Sequence, residues 1–209
     1  MNEIALPRLT ASGLACRRGE RLLFSGVDFT VEPGEVLEIA GRNGCGKTSL
    51  LRILCGLMSP EEGEIAWRGQ PVAEVREDFL SELAYVGHAD GVKGDLTVRE
   101  NLRVAAALHG GGEAPETALE RLGLTELAEI LGRLLSAGQR RRLALARLLV
   151  NKTHLWLLDE PFTALDKVAI RAVASLMEEH AARGGMIIFT SHHPVTLVRA
   201  RRMELTPGP

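Results

Sequence analysis

The first part of the chain alternates apolar and polar positions, as in the stretch VDFTVEPGE at residues 27–35. Such alternation is typical of strands with one buried face, and Pro33-Gly34 is typical of a turn, so the first thirty-odd residues are predicted to form an antiparallel β-section. The next apolar run, Glu35–Gly41, is predicted to be a strand that ends in glycine. Apolar residues then recur at helical spacing over residues 47–57, which predicts a helix.

Residues 91–150 contain no clear strand pattern and several stretches with helical spacing, among them TVRENLRVAAALHG and SAGQRRRLALARLLV. The core pattern resumes with the strand HLWLLDEP, a helix from about Asp166 to Arg183, and a last strand in GMIIFTSHH. Alternating strands and helices favour parallel pairing. We therefore predict one α/β domain over residues 1–209, with a mainly parallel sheet, an N-terminal antiparallel β-section and a helical subdomain at 91–150 inserted in the core.

The composition is that of an ordinary globular protein, since 45% of the 209 residues are hydrophobic and 25% are charged. The formal net charge of −2 gives no overall attraction to nucleic acid or anionic lipid. No apolar run approaches the roughly 18 residues needed to cross a bilayer, and the N-terminus MNEIALPRL lacks a signal-like stretch. We therefore expect a cytoplasmic chain that needs another subunit for any membrane role. Its three cysteines lack the spacing of a disulfide framework or a zinc site.

The stretch GRNGCGKT, residues 41–48, lies between a predicted strand and a predicted helix, which is the context of a phosphate-binding loop in a P-loop NTPase core. Glycines let the backbone curl closely around phosphate oxygens, so that amides and the helix N-terminus point at the anion. Lys47 is expected to reach the β- and γ-phosphates of ATP as a catalytic residue, and Thr48 to offer a hydroxyl to Mg²⁺. The candidate nucleotide-binding residues are Gly41, Arg42, Asn43, Gly44, Cys45, Gly46, Lys47, Thr48 and Ser49.

Two adjacent acids, Asp159 and Glu160, follow the apolar run LWLL at the end where a parallel sheet presents its loops to a ligand. Asp159 is expected to hold the hydration shell of Mg²⁺, and Glu160 to polarise the attacking water as general base. Alone, the pair is equally well interpreted as the solvated end of a strand. The phosphate-binding loop favours the functional interpretation.

Five stretches occur in the order found in ABC-type ATP-binding subunits, and the chain resembles that family over nearly its whole length: GRNGCGKT, LSAGQ, LWLLDEP, ALD and TSHH. LSAGQ, at residues 135–139, resembles the LSGGQ signature with alanine in third place. In the family this segment opens a helix whose N-terminus faces the ATP held by the other subunit. The resemblance implies a head-to-tail homodimer with two ATP sites, to which these residues also contribute: Ser136, Gly138, Gln139 and Asp166.

The same resemblance assigns roles to three further residues. His192 in TSHH matches the switch histidine that contacts the γ-phosphate and orients the catalytic base, whereas His193 is expected to be structural or exposed. His88 stands where the family has a glutamine that touches Mg²⁺ and signals to the membrane subunit. Arg18 stands where most members stack an aromatic ring on adenine, and its guanidinium either stacks on the base or is simply exposed.

Two features have simpler chemical interpretations. Cys45 lies within the phosphate-binding loop, where amide dipoles favour a thiolate, so we expect its alkylation to block ATP binding. The arginines of QRRRLALAR and of RARRM at residues 199–203 are interpreted as solvated basic faces. No aromatic residues are interleaved with these arginines, which argues against nucleic acid as a partner.

Several stretches resemble the ATP-binding subunits of haem exporters in cytochrome c maturation, among them YVGHADGVKGDLTVRENL, LLSAGQRRRLALARL and LWLLDEPFTALDK. That resemblance implies a peripheral position on the inner face of the cell membrane, docked on the membrane subunits CcmB and CcmC, with hydrolysis driving release of the haem-loaded chaperone CcmE. The chain has no C-x-x-C-H haem-attachment motif, so haem is not expected to bind to it. The alternatives are the subunit of another ABC transporter, a non-transport ABC ATPase and a small P-loop kinase, the last of which leaves LSAGQ unexplained.

Overall fold

Two β-sheets and six helices make up the part of the protein described by a computed structural model, which covers residues 8–109, 111–192, 197–198, 200–206 and 208. No helix within these ranges is both long and apolar enough to cross a membrane. Short 3₁₀ turns lie at Thr125–Leu127 and Gly132–Leu134. The strands are β1 (Leu9–Arg18), β2 (Arg21–Val31), β3 (Val36–Ala40), β4 (Glu62–Trp67), β5 (Gln70–Pro71), β6 (Leu83–Val86), β7 (Leu155–Asp159), β8 (Met186–Thr190) and β9 (Ala200–Glu204), and the helices are α1 (Lys47–Leu54), α2 (Arg76–Ser81), α3 (Val98–His109), α4 (Pro115–Arg121), α5 (Ala137–Val150) and α6 (Lys167–Ala182).

The first sheet is antiparallel, with the strand order β2-β1-β4-β5. Its first hairpin turns at Gly19, whose φ of 61° is one that glycine adopts readily, and it pairs Arg18 with Arg21. Leu9 and Ala11 on β1 face the core and are buried. The predicted antiparallel section is therefore confirmed, and it is larger than predicted because β4 and β5 complete it.

The second sheet is parallel, with the strand order β6-β7-β8-β3-β9. Every residue of β7 and β8 is buried, which explains why their first four residues, LWLL and MIIF, are continuous apolar runs instead of alternating ones. Parallel strands bring their carboxyl ends to one edge of a sheet, so the loops after β3, β6, β7 and β8 meet there. The predicted parallel α/β core is confirmed.

The edge strand β9 runs through the segment that was interpreted from its sequence as a solvated basic face. Its side chains Arg201 and Arg202 are indeed exposed, but its backbone pairs with β3 along Val36–Ala40. The interpretation missed the strand because its charged side chains mask the backbone pairing. Charged side chains on an edge strand also discourage pairing with other chains.

Helices α3, α4 and α5 occupy the segment predicted to be helical. Val98, Leu119 and Leu143 of these three helices are buried in one core cluster, and the same cluster includes Trp156 of β7. Helix α5 therefore packs against both the other helices and the parallel sheet. The division into one domain with an inserted subdomain at 91–150 stays a prediction.

The arginines that begin α5 differ in their surroundings. Arg142 is partly exposed and donates to the carbonyl oxygens of Leu122 and Gly123, both at 3.0 Å. Arg141 is only 4% exposed, because it lies where the helix packs over the loops of the parallel sheet. The interpretation of this row as a solvated basic face is wrong at Arg141.

A histidine and a tryptophan stack near the amino ends of the parallel strands. The His180 ring of α6 lies nearly parallel to the Trp156 indole, with ring centroids 3.8 Å apart, and its Nε2 is 3.2 Å from the carbonyl oxygen of His154. Burial lowers the pKa of His180 from 6.5 to about 4, and repulsion from the Arg183 cation adds to the lowering. The folded protein therefore keeps this ring neutral at a pH where the unfolded chain protonates it.

We expect His180→Gln to make the stability of the protein less sensitive to acid. Because the folded pKa lies below the unfolded one, protonation favours the unfolded chain as the pH falls from about 6.5 to about 4. Because solvent reaches part of the ring, the effect of the pKa shift on stability is reduced. Over this pH window, the free energy of unfolding should fall by about 1–2 kcal/mol more in the wild type than in the variant. Thermal unfolding measured from about pH 7.5 to 4.5 checks this, and parallel curves for the two proteins would contradict it.

Candidate nucleotide-binding site

A cleft of about 600 Å³ opens at the carboxyl edge of the parallel sheet, beside the hairpin that joins β1 and β2. Its walls come from separate parts of the chain: the phosphate-binding loop, the loop after β6, the acids after β7 and the histidine after β8. The cleft therefore gathers most of the site residues that were predicted from the sequence. Those that line it are Arg18, Asn43, Gly44, Gly46, Lys47, Thr48, Ser49, His88, Asp159, Glu160 and His192.

The phosphate-binding loop depends on its glycines for its shape. Gly46 has a φ of 106°, and a Cβ at this position would lie 2.8 Å from the Phe24 ring. Helix α1 begins directly after Gly46, so a helix N-terminus, which attracts anions, stands at the cleft. The Lys47 ammonium donates to the carbonyl oxygen of Gly41 at 2.7 Å and lies 3.4 Å from that of Arg42. The loop thus combines two groups that attract anions, the N-terminus of α1 and the Lys47 ammonium bound to the loop carbonyls.

Cys45 does not face the cleft. It is 2% exposed and packs with Phe24 in a core cluster, and a Cβ on Gly41 would lie 2.8 Å from its Sγ. Cys45 is therefore not the accessible thiol that its place in the loop suggested. That alkylation of Cys45 blocks ATP binding stays a prediction.

Asp159 is fixed by a threonine on the neighbouring strand. The parallel register places Asp159 opposite Thr190, whose Oγ1 donates to Asp159 Oδ1 at 2.8 Å and accepts from the Glu160 amide at 3.0 Å. Asp159 is 2% exposed, and among the described residues no hydrogen-bond partner is present for its Oδ2. One carboxylate oxygen is thus anchored and the other is available. The role of Thr190 was missed, although a polar residue closing the apolar run MIIFT was a usable signal.

Glu160 and His192 contact each other through both oxygens of the carboxylate. The His192 amide donates to Oε2 at 3.0 Å, and His192 Nε2 lies 3.2 Å from Oε1. The Glu160 side chain is 16% exposed and that of His192 is 50% exposed. The structure therefore brings together the predicted base and the predicted switch histidine. His193 lies outside the described residues.

The hairpin side of the cleft holds Arg18 together with residues that were not predicted. Arg21 and Leu23 also line the cleft, and Arg21 is there because the hairpin pairs it with Arg18. The short turn around Gly19 was the sequence signal that could have revealed this pairing. Thr163 is a further lining residue without a recognisable sequence signal.

His88 connects the cleft with a neighbouring depression. It is exposed and lines both the cleft and a space of about 300 Å³ whose other walls include Arg52, Leu57 and Tyr85. Leu57 is 68% exposed. The loop after β6 therefore borders the cleft on one side and the depression on the other.

The signature residues lie outside the lining of this cleft. Ser136 caps α5 by accepting from the Gln139 amide at 3.2 Å, and Gln139 Oε1 accepts from the Ser136 amide at 2.8 Å. A Cβ on Gly138 would lie 2.5 Å from the carbonyl oxygen of Ala164. Asp166 likewise caps its own helix, α6, by accepting from two first-turn amides. The structure does not bring these four predicted site residues to the nucleotide cleft of the same chain.

Comparison with solved structures relates the fold to ATP-binding proteins. An ABC transporter ATP-binding protein from Pyrococcus furiosus superposes with a TM-score of 0.81 at 26% identity, covering 95% of this chain and 97% of that one. The ATP-binding subunit of another ABC transporter gives a TM-score of 0.79 at 28% identity, covering 88% of this chain and 79% of that one. The arrangement of two sheets around this cleft is therefore shared with ATP-binding proteins of that type.

Comparison of sequences gives the same family. The family model described as ABC transporter matches residues 24–163. The cytochrome c biogenesis ATP-binding export protein CcmA of Nitrosococcus oceani is 64% identical, over 99% of this chain and 95% of that protein. The protein of the same name from Methylococcus capsulatus is 52% identical, over 88% of this chain and 91% of its own length. The chain therefore belongs to the ABC transporter family, as an ATP-binding and ATP-hydrolysing subunit similar to the CcmA export proteins.

Proposed function

We propose that the protein powers haem export in cytochrome c biogenesis, as the ATP-hydrolysing subunit of a transporter on the inner face of the cell membrane. The identity of 64% to the Nitrosococcus oceani protein carries this proposal, because it extends over 95% of a protein named as an ATP-binding export protein of cytochrome c biogenesis. ATP binding and hydrolysis are common to the family. Likeness over the whole length favours shared membrane partners as well as shared chemistry.

In this proposal, the phosphate-binding loop contacts the triphosphate of ATP, and the hairpin between β1 and β2 contacts the adenine. The Lys47 ammonium, held over the loop by the carbonyls of Gly41 and Arg42, offsets negative charge that develops on the γ-phosphate. On the hairpin side of the cleft, Arg18 offers its planar guanidinium to adenine, and the apolar side chain of Leu23 lines the same cleft. Triphosphate and base thus meet different parts of one continuous cleft.

Asp159 and Thr48 fit a Mg²⁺ ion. The buried Asp159 Oδ2, for which the described residues supply no donor, leaves a carboxylate oxygen available to a hard cation. No group of three or more His, Cys, Asp or Glu side chains in the described ranges is placed to hold a metal, and Mg²⁺ typically completes its shell with water and phosphate oxygens. When bound, Mg²⁺ would neutralise charge on the β- and γ-phosphates. His88, which lines the same cleft, is the third candidate ligand.

Glu160 acts as the general base in this proposal, and His192 positions it. Both oxygens of the Glu160 carboxylate contact His192, so the base has a fixed direction before the reaction begins. The attacking water passes a proton to Glu160, its oxygen forms a bond to the γ-phosphorus, and the bond between that phosphorus and the β-γ bridging oxygen breaks. The exposed edge of His192 is available to the γ-phosphate.

A head-to-tail homodimer would complete each site. Ser136, Gly138 and Gln139 begin a helix whose N-terminus attracts anions, yet they lie outside the cleft of their own chain. A second copy, related by a two-fold axis, can bring this helix end to the γ-phosphate in the first copy. A monomer is therefore expected to bind ATP and to hydrolyse it slowly.

The proposed partners are the membrane subunits CcmB and CcmC and, through them, the haem chaperone CcmE. Co-expression of the tagged chain with CcmB and CcmC should give a complex whose ATPase activity responds to haem-loaded CcmE. The chain alone should leave the absorption spectrum of added haem unchanged. A stable ATPase that associates instead with another transporter, or with nucleic acid, would overturn the proposed role and leave the ATPase itself intact.

We expect His88→Gln to preserve both hydrolysis and transport, and His88→Ala to preserve hydrolysis while transport per ATP falls about tenfold or more. His88 joins the cleft to the depression beside Leu57, so the proposed signal to the membrane subunit passes through its side chain. ATP consumption and haem transfer measured together in the reconstituted complex check this. Wild-type coupling in His88→Ala would assign His88 to an ordinary exposed position.

A further inference from the structure

Arg141 in the first half of α5 binds the backbone that carries the catalytic acids. Its Nη2 donates to the carbonyl oxygen of Glu160 at 2.9 Å and also to that of Asp159, and its Nε lies 3.4 Å from the carbonyl oxygen of Pro161. Three successive peptide units after β7 are thus held by one guanidinium group. That group is almost fully buried, since Arg141 is 4% exposed.

The same side chain also holds the loop that contains His88. Its Nη1 donates to the carbonyl oxygen of Gly87 at 2.7 Å and to Asp90 Oδ1 at 3.1 Å. Further along α5, Arg147 donates to the carbonyl oxygens of Asp90 and Gly91, both at 3.1 Å. Helix α5, whose N-terminus carries the signature, is therefore joined both to the catalytic segment, residues 159–161, and to the loop that contains His88.

Glu160 has a backbone conformation that needs such support. Its φ of 53° lies in the left-handed region, which costs free energy in a residue with a side chain. Thr190 holds its amide, His192 holds its carboxylate, and Arg141 holds its carbonyl oxygen. Of these three contacts, only the one with Arg141 links Glu160 to the signature helix.

An arginine is the side chain that suits this position. Its planar group presents up to five N–H donors, whereas lysine presents three from a single atom and glutamine two. The Asp90 carboxylate, which is 21% exposed, supplies the opposite charge that a buried guanidinium requires. A smaller donor would remove contacts from the carbonyl oxygens of Asp159 and Pro161, and would leave that of Glu160 with the Thr163 amide at 3.2 Å.

We propose that Arg141 is a positioning residue for ATP hydrolysis, which fixes the backbone of Glu160 and makes it move together with the signature helix and the His88 loop of the same chain. When the signature of one chain binds the nucleotide held by the partner chain, Arg141 transmits this binding to Glu160, the base that acts on the chain's own nucleotide. The inference rests on the proposed dimeric ATPase. It adds a connection within each chain to the contacts between chains.

The decisive comparison is Arg141→Gln against Arg142→Gln. Both variants lose one positive charge from the same helix, but within the described residues Arg142 donates to the carbonyl oxygens of Leu122 and Gly123, near the end of α4. We expect Arg141→Gln to lower kcat about 10- to 100-fold while the KM for ATP changes less than about threefold, because the base is displaced and the phosphate-binding loop is not. Arg142→Gln should keep kcat within about twofold of the wild type. Equal kcat values for the two variants would overturn the inference.

Two milder variants test the same inference if Arg141→Gln fails to fold. Arg141→Lys keeps the charge with fewer donors and should recover part of kcat, and Asp90→Asn should lower kcat about threefold without a change in KM. When Arg141→Lys and Asp90→Asn are combined, their effects on kcat should be less than additive, because both changes act through the contact between Arg141 and Asp90. If the losses in kcat are additive, and if they follow the fall in the thermal unfolding midpoint of the variants, then Arg141 has only a structural role. Absence of ATPase activity in the wild type would instead contradict the assignment of the chain as an ATPase.

Discussion

Glu160→Gln is expected to lower ATP turnover about 10²- to 10⁴-fold while leaving ATP binding in place, and to trap an ATP-bound dimer. Glutamine has the shape of glutamate and can still accept from the His192 amide through its oxygen, but it cannot take a proton from water. The phosphate-binding loop, which holds the nucleotide, is untouched by the change. The ATP-bound state therefore accumulates because its exit by hydrolysis is blocked.

Size-exclusion chromatography with and without ATP, together with phosphate release, measures both parts of this expectation. Glu129→Gln is the matched control, because Glu129 is a 74% exposed carboxylate that pairs with Arg99, and neither residue lines the cleft. The control should behave as the wild type in both assays. Unchanged turnover in Glu160→Gln, with no dimer in the presence of ATP, would remove Glu160 from the role of base.

The parts of the site that could be predicted are those encoded by neighbours in the sequence. The phosphate-binding loop has a strand before it, a helix after it and a lysine at a fixed spacing, so residues 41–48 reveal both its structure and its chemistry. Asp159 and Glu160 follow a fully apolar run, which identifies the carboxyl end of a buried strand. In each case a short segment contains the whole signal.

The parts that escaped prediction depend on pairings between distant segments. Thr190 meets Asp159 only because of the register between β7 and β8, and a register is a tertiary property. Arg141 looks like its two arginine neighbours in the sequence, and only the packing of α5 decides that it is the buried one. Cys45 was expected to be reactive from its place in the loop, and its side chain turned out to face the core.

Ala137→Glu is expected to lower ATP hydrolysis about 100-fold through the partner's site while leaving the folded chain intact. Ala137 is exposed at the first position of α5, where an acidic residue is favourable to the helix by about 0.3–1 kcal/mol. In the proposed dimer the same carboxylate would face the γ-phosphate of ATP on the other chain. Repulsion of about 3 kcal/mol between two such charges at close range accounts for the expected loss.

Mixing two inactive variants tests this arrangement directly. Lys47→Ala removes the cation of the phosphate-binding loop, and Ala137→Glu spoils the signature, so each variant alone should be nearly inactive. In a mixed dimer, the intact loop of the Ala137→Glu chain faces the intact signature of the Lys47→Ala chain, which restores one complete site. Equal amounts of the two should therefore recover about a quarter of the wild-type rate if the sites hydrolyse independently. A mixture as inactive as its components would contradict the head-to-tail dimer, because a site completed within one chain cannot be rescued by another.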